Sequence, residues 1–107
     1  MQQLQHKVPH KAIVEFRRGT EAFKKQQVAA AVDHLKAALA IDPEFVDAHN
    51  DLGVAYLALR DFEQGAVHFK QAIALAPTYE PAIDNLCILL LQLKRFGGTR
   101  KWQQAGF

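Results

Sequence analysis

Apolar residues recur along most of the chain at the three- and four-residue spacing that is typical of amphipathic helices. Two proline residues, Pro43 and Pro77, interrupt this pattern, and the residues before them match at a fixed offset of 34 positions. The matching residues are His34, Lys36, Ala38, Ala40 and Pro43 in one copy and His68, Lys70, Ala72, Ala74 and Pro77 in the next. A repeat of this length indicates units that cannot bury their apolar face alone and therefore stack on one another.

The pattern predicts two helices in each repeated unit. Asp42 is expected to cap the first helix with its side chain, with Pro43 in the first helical position and the helix end near Arg60. Asp61 and Gln64 have the spacing of a capping box, which predicts the start of the second helix.

Two glycines lie inside these predicted helices, at Gly53 and Gly65. Glycine inside a helix costs about 1 kcal/mol relative to alanine. We therefore interpret both glycines as points where two helix backbones come close together.

The central unit resembles the tetratricopeptide repeat, because Leu52-Gly53, Tyr56, Phe69, Ala72 and Pro77 follow that family's pattern. The resemblance implies an all-α fold: a right-handed α-solenoid of antiparallel helix pairs, with about two full units and an incomplete third. We expect an N-terminal extension at 1–11 and one repeat domain at 12–107, with units 12–45, 46–79 and 80–107. The repeat-core positions that it implies are Gly19, Leu35, Ala38, Leu52, Gly53, Tyr56, Phe69, Ala72, Leu86 and Cys87.

Composition agrees with a helical domain. Half of the 107 residues are hydrophobic, which suffices for one continuous core, and we find no period-two alternation that would indicate strands. The apolar stretch from Ile83 to Leu93 is interrupted by polar residues and is shorter than the ~20 residues that cross a membrane. The N-terminal residues lack the apolar core of a secretory signal. The compartment stays open, with a soluble, cytoplasmic location favoured.

Charge and candidate chemistry argue against several function classes. The net charge is only +2, with basic ends and an acidic middle, so we do not expect nucleic-acid binding. His6 and His10 have the helical spacing for a shared metal, but Pro9 lies between them, and we predict no metal site and no cofactor. No local motif supports a catalytic triad or a phosphate loop, so we do not expect an enzyme.

The resemblance places a binding groove on the first helices of the units. The candidate groove residues are Phe16, Thr20, Phe23, Asn50, Val54, Leu57, Asp84, Ile88 and Leu91. The family's chaperone-tail binders clamp a carboxylate with basic residues, and the corresponding positions here, Phe16, Thr20, Asn50, Pro81 and Asn85, offer no cation. We therefore expect an apolar peptide or helix of a protein partner, with Asn50 bonding its backbone. The alternative is that some of these side chains only pack between repeats.

A second function class is a structural piece whose apolar surfaces mediate self-association. The first helix of the third unit is apolar all round. We expect Ile83, Leu86, Leu90 and Leu93 to pack on the preceding unit, and Ile88, Leu89 and Leu91 to need other cover. These last three side chains predict a homodimer through the third unit. The alternative is that residues 99–107 fold back over them and leave the chain monomeric.

Overall fold

The structure is a computed structural model that describes residues 6–96, and within this range it contains five α-helices and no β-strand. The helices are α1 (His10–Lys24), α2 (Val28–Ile41), α3 (Val46–Ala58), α4 (Phe62–Leu75) and α5 (Glu80–Phe96). Each helix packs on the next one along the chain, and α3 also contacts α1 and α5. The arrangement is an all-α helical repeat in which α1 pairs with α2, α3 pairs with α4, and α5 begins a further layer.

The start of α3 differs from the sequence-based prediction. Asp42 does not cap this helix; its side chain accepts a hydrogen bond from the backbone N–H of Glu44 and so forms a turn. The helix begins at Val46, with Phe45 at its N-cap position. The prediction was wrong because an aspartate before a proline is equally suited to a turn that follows the preceding helix.

The start of α4 confirms the predicted cap in part. The Oδ1 atom of Asp61 accepts a hydrogen bond of 3.2 Å from the N–H of Gln64. The N–H of Asp61 is not bonded by a glutamine side chain as a capping box requires; it donates to the carbonyl of Tyr56. Asp61 therefore closes the turn after α3 with its backbone N–H and caps the start of α4 with its side chain.

The two helix pairs turn in the same way. Gln26 and Arg60, which are 34 positions apart, both have left-handed backbones, with φ of 64° and 62°. The N–H groups of the residues after them bond back to Ala22 and Tyr56. These bonds form a Schellman motif at each turn, a position where glycine is usual and where neither residue is glycine.

Gly53 and Gly65 lie where α3 and α4 cross. A Cβ atom on Gly53 would lie 2.5 Å from the ring of Phe69, and one on Gly65 would lie 3.3 Å from the carbonyl oxygen of Gly53. The two backbones therefore come close between Gly65 and the carbonyl group of Gly53, and the missing side chains also leave room for the ring of Phe69 at Gly53 and for Leu89 at Gly65.

The core follows the repeat. One buried cluster joins α2 and α3 through Val32, Leu35, Leu52, Ala55 and Tyr56. Another joins α4 and α5 through Phe62, Phe69 and Leu89. Each first helix therefore packs on the second helix of the preceding unit, and this layering continues through α5.

The orientation of α5 corrects two sequence-based predictions. Leu89, predicted to need cover, is fully buried against α4, whereas Ile83 and Leu90, predicted to pack, are exposed. Cys87, assigned to the repeat core, is also exposed. In the second pair the equivalent of Cys87 is Gly53, which faces Phe69 of its own second helix. The corresponding segment of the third unit lies outside the described residues.

Candidate functional site

The candidate groove is the surface formed by the first helices of the units, α1, α3 and α5. Helix α3 lies in the middle and contacts both of the others. Thr20, Phe23 and Val54 lie together here, because all three line one cavity of about 200 Å³ between α1 and α3. The remaining lining residues are Gly19, Lys24, Leu35 and Asp51. We call this space the α1–α3 cavity.

Two predicted groove residues serve mainly the packing between repeats. The ring of Phe16 lies 4.9 Å from that of Phe45, measured between centroids, and is partly buried against the core. Leu57 is half-buried against the cluster of Phe62, Phe69 and Leu89. The contacts of these two side chains therefore agree with the alternative interpretation, in which they pack between repeats.

The α5 members of the predicted groove are not part of the α1–α3 cavity. Ile88 and Leu91 are 45% and 65% exposed, and Asp84 is exposed as well. They form an open apolar strip on α5 with one carboxylate at its N-terminal end.

Asn50 is 6% exposed and joins two helices. Its Oδ1 atom accepts a hydrogen bond of 3.0 Å from the side chain of Asn85 on α5. Its Nδ2 group lies 3.4 Å from Asp51 Oδ1 and donates to it. The amide therefore orients Asp51, and its bonding to a partner's backbone stays a prediction.

Sequence reasoning missed Asp51 and Leu35 as parts of the site. Leu35 was assigned to the core alone, but it reaches the α1–α3 cavity beside Gly19, which has no side chain in the way. The signal for Asp51 was its position four residues after Asp47, which places two carboxylates on one face of a helix.

The electrostatics of the cavity centre on Asp51. Burial and, to a smaller extent, the charge of Asp47 raise the pKa of this carboxyl to about 6, against the hydrogen bond from Asn50, which lowers it. Asp47 in turn accepts a hydrogen bond from the hydroxyl of Tyr79. Burial and this hydrogen bond raise the pKa of Tyr79. The site thus combines apolar walls with two neighbouring carboxylates.

The histidines lie away from this cavity. His6 contacts the carboxylate of Asp42 at 2.9 Å, and His34 contacts that of Glu15 at 2.9 Å. Among residues 6–96, no group of three or more metal-ligating side chains has the arrangement of a metal site. None of the helices in the same range is long and apolar enough to cross a membrane.

Comparison with known families identifies the repeat. A profile described as TPR repeat matches residues 19–59, and one described as Tetratricopeptide repeat matches residues 46–79. The matched range runs from the middle of α1 to the end of α4. No curated protein matches the chain.

Solved structures share the fold at low sequence identity. The second TPR of Spaghetti (RPAP3), bound to the HSP90 peptide SRMEEVD, is 22% identical, with a TM-score of 0.77 over 89% of this chain and 88% of that one. The Sgt2 TPR domain from Aspergillus fumigatus is 20% identical, with a TM-score of 0.78 over 92% and 65% of the two chains. The Arabidopsis OM64 TPR domain is 20% identical, with a TM-score of 0.76 over 81% and 72%.

Proposed function

Because the chain belongs to the tetratricopeptide repeat family, we propose that it is a protein-interaction module that binds an apolar segment of a partner, helical or extended, on the surface of α1, α3 and α5. The observation that carries this proposal is the α1–α3 cavity, whose walls include Phe23, Leu35 and Val54. A preformed apolar recess with a few polar groups is the usual form of a recognition site. A binding role requires no catalytic group, and we assign none.

Charge supports an apolar partner over an acidic one. Two of the structural neighbours were solved with the acidic HSP90 peptide SRMEEVD. At the cavity, Asp51 lies one helical turn after Asp47 on α3, Asp84 is exposed on α5, and Lys24 is the cation that lines the cavity. Like charges brought together at an interface are unfavourable, so an acidic tail is a poor match for this surface, as is a nucleic acid.

A peptide library displayed on phage tests the proposal. We expect the wild-type chain to enrich apolar sequences and to show no measurable affinity for the peptide SRMEEVD. Thr20→Phe fills the cavity from a half-buried position and is expected to weaken a selected peptide about tenfold or more, which is about 1.4 kcal/mol. Thr78→Phe makes the same replacement at an exposed turn and serves as the matched control.

The dependence of the affinity on salt concentration distinguishes binding through apolar side chains from binding through charges. Binding through apolar anchors should change little between low and moderate salt, whereas binding to phosphates falls steeply. A library that yields no enriched sequence, or equal affinities for wild type and Thr20→Phe, would overturn the proposal.

A second candidate function is self-association through α5. Ile83, Ile88, Leu90 and Leu91 are large apolar side chains that are all exposed in the described part of the chain. Each leucine or isoleucine buried in a dimer would contribute about 1.5–3 kcal/mol. Sedimentation at micromolar concentration should then show a dimer that Leu90→Lys or Leu91→Lys converts to a folded monomer. A wild-type chain that remains monomeric at high concentration contradicts this candidate.

A further inference from the structure

The walls of the α1–α3 cavity are mostly apolar but include one carboxylate, to which the proposed function assigns no role. Phe23, Leu35 and Val54 supply apolar surface, and Asp51 supplies a carboxylate at the same space. Its volume of about 200 Å³ is somewhat larger than that of an apolar cavity of about 150 Å³ that binds benzene. The cavity therefore has room for one long side chain rather than for a helix or strand.

In the described part of the chain, the carboxylate of Asp51 is not paired with a cation. Asp47 disfavours ionisation of Asp51, and the opposing group is the neutral amide of Asn50. Lys24 also lines the cavity, but its side chain is exposed and forms no ion pair with Asp51. A partly buried carboxylate beside a second carboxylate is a favourable place for an added positive charge.

We propose that the α1–α3 cavity recognises an arginine or lysine side chain of the partner segment, with the aliphatic stem against Phe23, Leu35 and Val54 and the cationic head at Asp51. Long basic side chains bury their methylene stems on apolar surface while the head keeps a polar partner. The amide group of Asn50 donates one hydrogen bond of 3.4 Å to the carboxylate of Asp51, which leaves lone pairs of the carboxylate for the partner's cation. This inference rests on the proposed function and adds its specificity: an apolar segment with one basic residue at a fixed place.

Charge complementarity separates this occupant from the others. An acidic side chain in the cavity would meet the charge of Asp51, with that of Asp47 one helical turn away. An apolar side chain would bury the Asp51 carboxylate with the hydrogen bond from Asn50 but without a positive charge, which is costly. The basic side chain satisfies both the apolar walls and the carboxylate.

The test uses the peptides that the display library selects on the wild-type chain. We expect arginine or lysine to recur at one position among apolar residues, and we expect selection on Asp51→Asn to keep the apolar residues and lose the basic one. For a selected peptide, arginine is then replaced by citrulline, which has nearly the same shape and no charge. Calorimetry should show that this replacement weakens binding to the wild type about tenfold and to Asp51→Asn less than about twofold.

Asp33→Asn is the matched control, because Asp33 is an exposed aspartate on α2 that belongs neither to the groove surface nor to the lining of the cavity. It should retain the full effect of the citrulline replacement. Thermal unfolding of each variant establishes that it is folded, and the citrulline effect on the wild type needs no variant at all.

The outcomes separate the two proposals. Enriched apolar sequences without a recurrent basic residue, or equal affinities of the arginine and citrulline peptides for the wild type, overturn this inference and leave the groove function standing. Absence of any enriched sequence overturns both.

Discussion

The Nδ1 atoms of His49 and His68 lie 3.2 Å apart, and the two rings stack between α3 and α4. The Nε2 atom of His49 lies 2.8 Å from the carbonyl oxygen of Pro43, which only accepts hydrogen bonds. His49 therefore carries its proton on Nε2, and its Nδ1 accepts a hydrogen bond from the Nδ1–H group of His68. Glu15 and His34 occupy the equivalent positions of the first helix pair, where a carboxylate replaces the first ring.

The first prediction is a loss of stability on mild acidification. Burial and, to a smaller extent, the charges of His49 and Lys36 lower the pKa of His68 to about 4. The unfolded chain therefore binds a proton that the folded chain excludes, so this contribution is complete above pH ~6.5 and is lost as the pH falls to about 4. Because the side chain is only half-buried, we expect a loss on the order of 1–2 kcal/mol.

Denaturant unfolding at several pH values measures this loss. His68→Phe keeps an aromatic ring beside Tyr56 but has no titrating nitrogen, so its unfolding free energy should depend less on pH than that of the wild type. His10→Phe changes an exposed histidine and should behave as the wild type does. Parallel pH curves for wild type and His68→Phe would contradict the assignment.

The second prediction is that Asp51→Asn stabilises the protein at neutral pH. The pKa of Asp51 is raised to about 6, so the folded chain holds this proton more tightly than the unfolded chain does. Its contribution is favourable below pH ~4 and is lost as the pH rises through 6, which is opposite in sign to that of His68. At pH 7.5 the asparagine variant should gain on the order of 1 kcal/mol, and near pH 4 it should gain nothing.

Thermal unfolding of Asp51→Asn beside Asp33→Asn checks this sign. Asp33 is exposed on α2 and should be insensitive to the replacement. A destabilised Asp51→Asn variant at pH 7.5 would mean that the carboxylate has a stabilising partner in the folded chain. A stabilised one agrees with a carboxylate that is retained for binding.

The third prediction concerns the left-handed residue between α1 and α2. Gln26 has φ of 64°, a conformation that costs a residue with a side chain roughly 1–2 kcal/mol and costs glycine little. Gln26→Gly should therefore raise the unfolding free energy by about 0.5–1 kcal/mol despite the greater freedom of the unfolded chain. Gln71→Gly, at an exposed position within α4, should lower it by about 1 kcal/mol.

Much of the packing of the helix pairs could be predicted, because it is formed by residues at equivalent positions of the repeat. The offset that relates Gly19 to Gly53 also relates Leu35 to Phe69, and in the structure each of these large side chains packs on the glycine of its own pair. A repeated contact of this kind leaves a repeated signal in the sequence. The cap at Asp61 was predictable for a local reason, since the bond spans only three residues.

The incorrect or missing predictions concern positions at which the sequence pattern does not indicate the backbone conformation or the direction in which a side chain points. The run around Leu89 is apolar on every side, so its periodicity did not indicate which residues face α4. The left-handed backbone at Gln26 has no glycine to mark it. Asp51 reaches the cavity through the packing of α1 against α3, and an acidic residue on a helix is usually interpreted as solvent-exposed.

The last prediction tests the orientation of α5 directly. Leu89 is fully buried against Phe62 and Phe69, and Leu91, two residues later, is 65% exposed. Leu89→Ala should leave a cavity and lower the unfolding free energy by about 2–5 kcal/mol, whereas Leu91→Ala should change it by less than about 0.5 kcal/mol. The two replacements remove the same atoms from the same helix, so their difference reports burial alone. Equal losses in denaturant unfolding would show that α5 is rotated relative to this arrangement, with Leu91 facing the core as well.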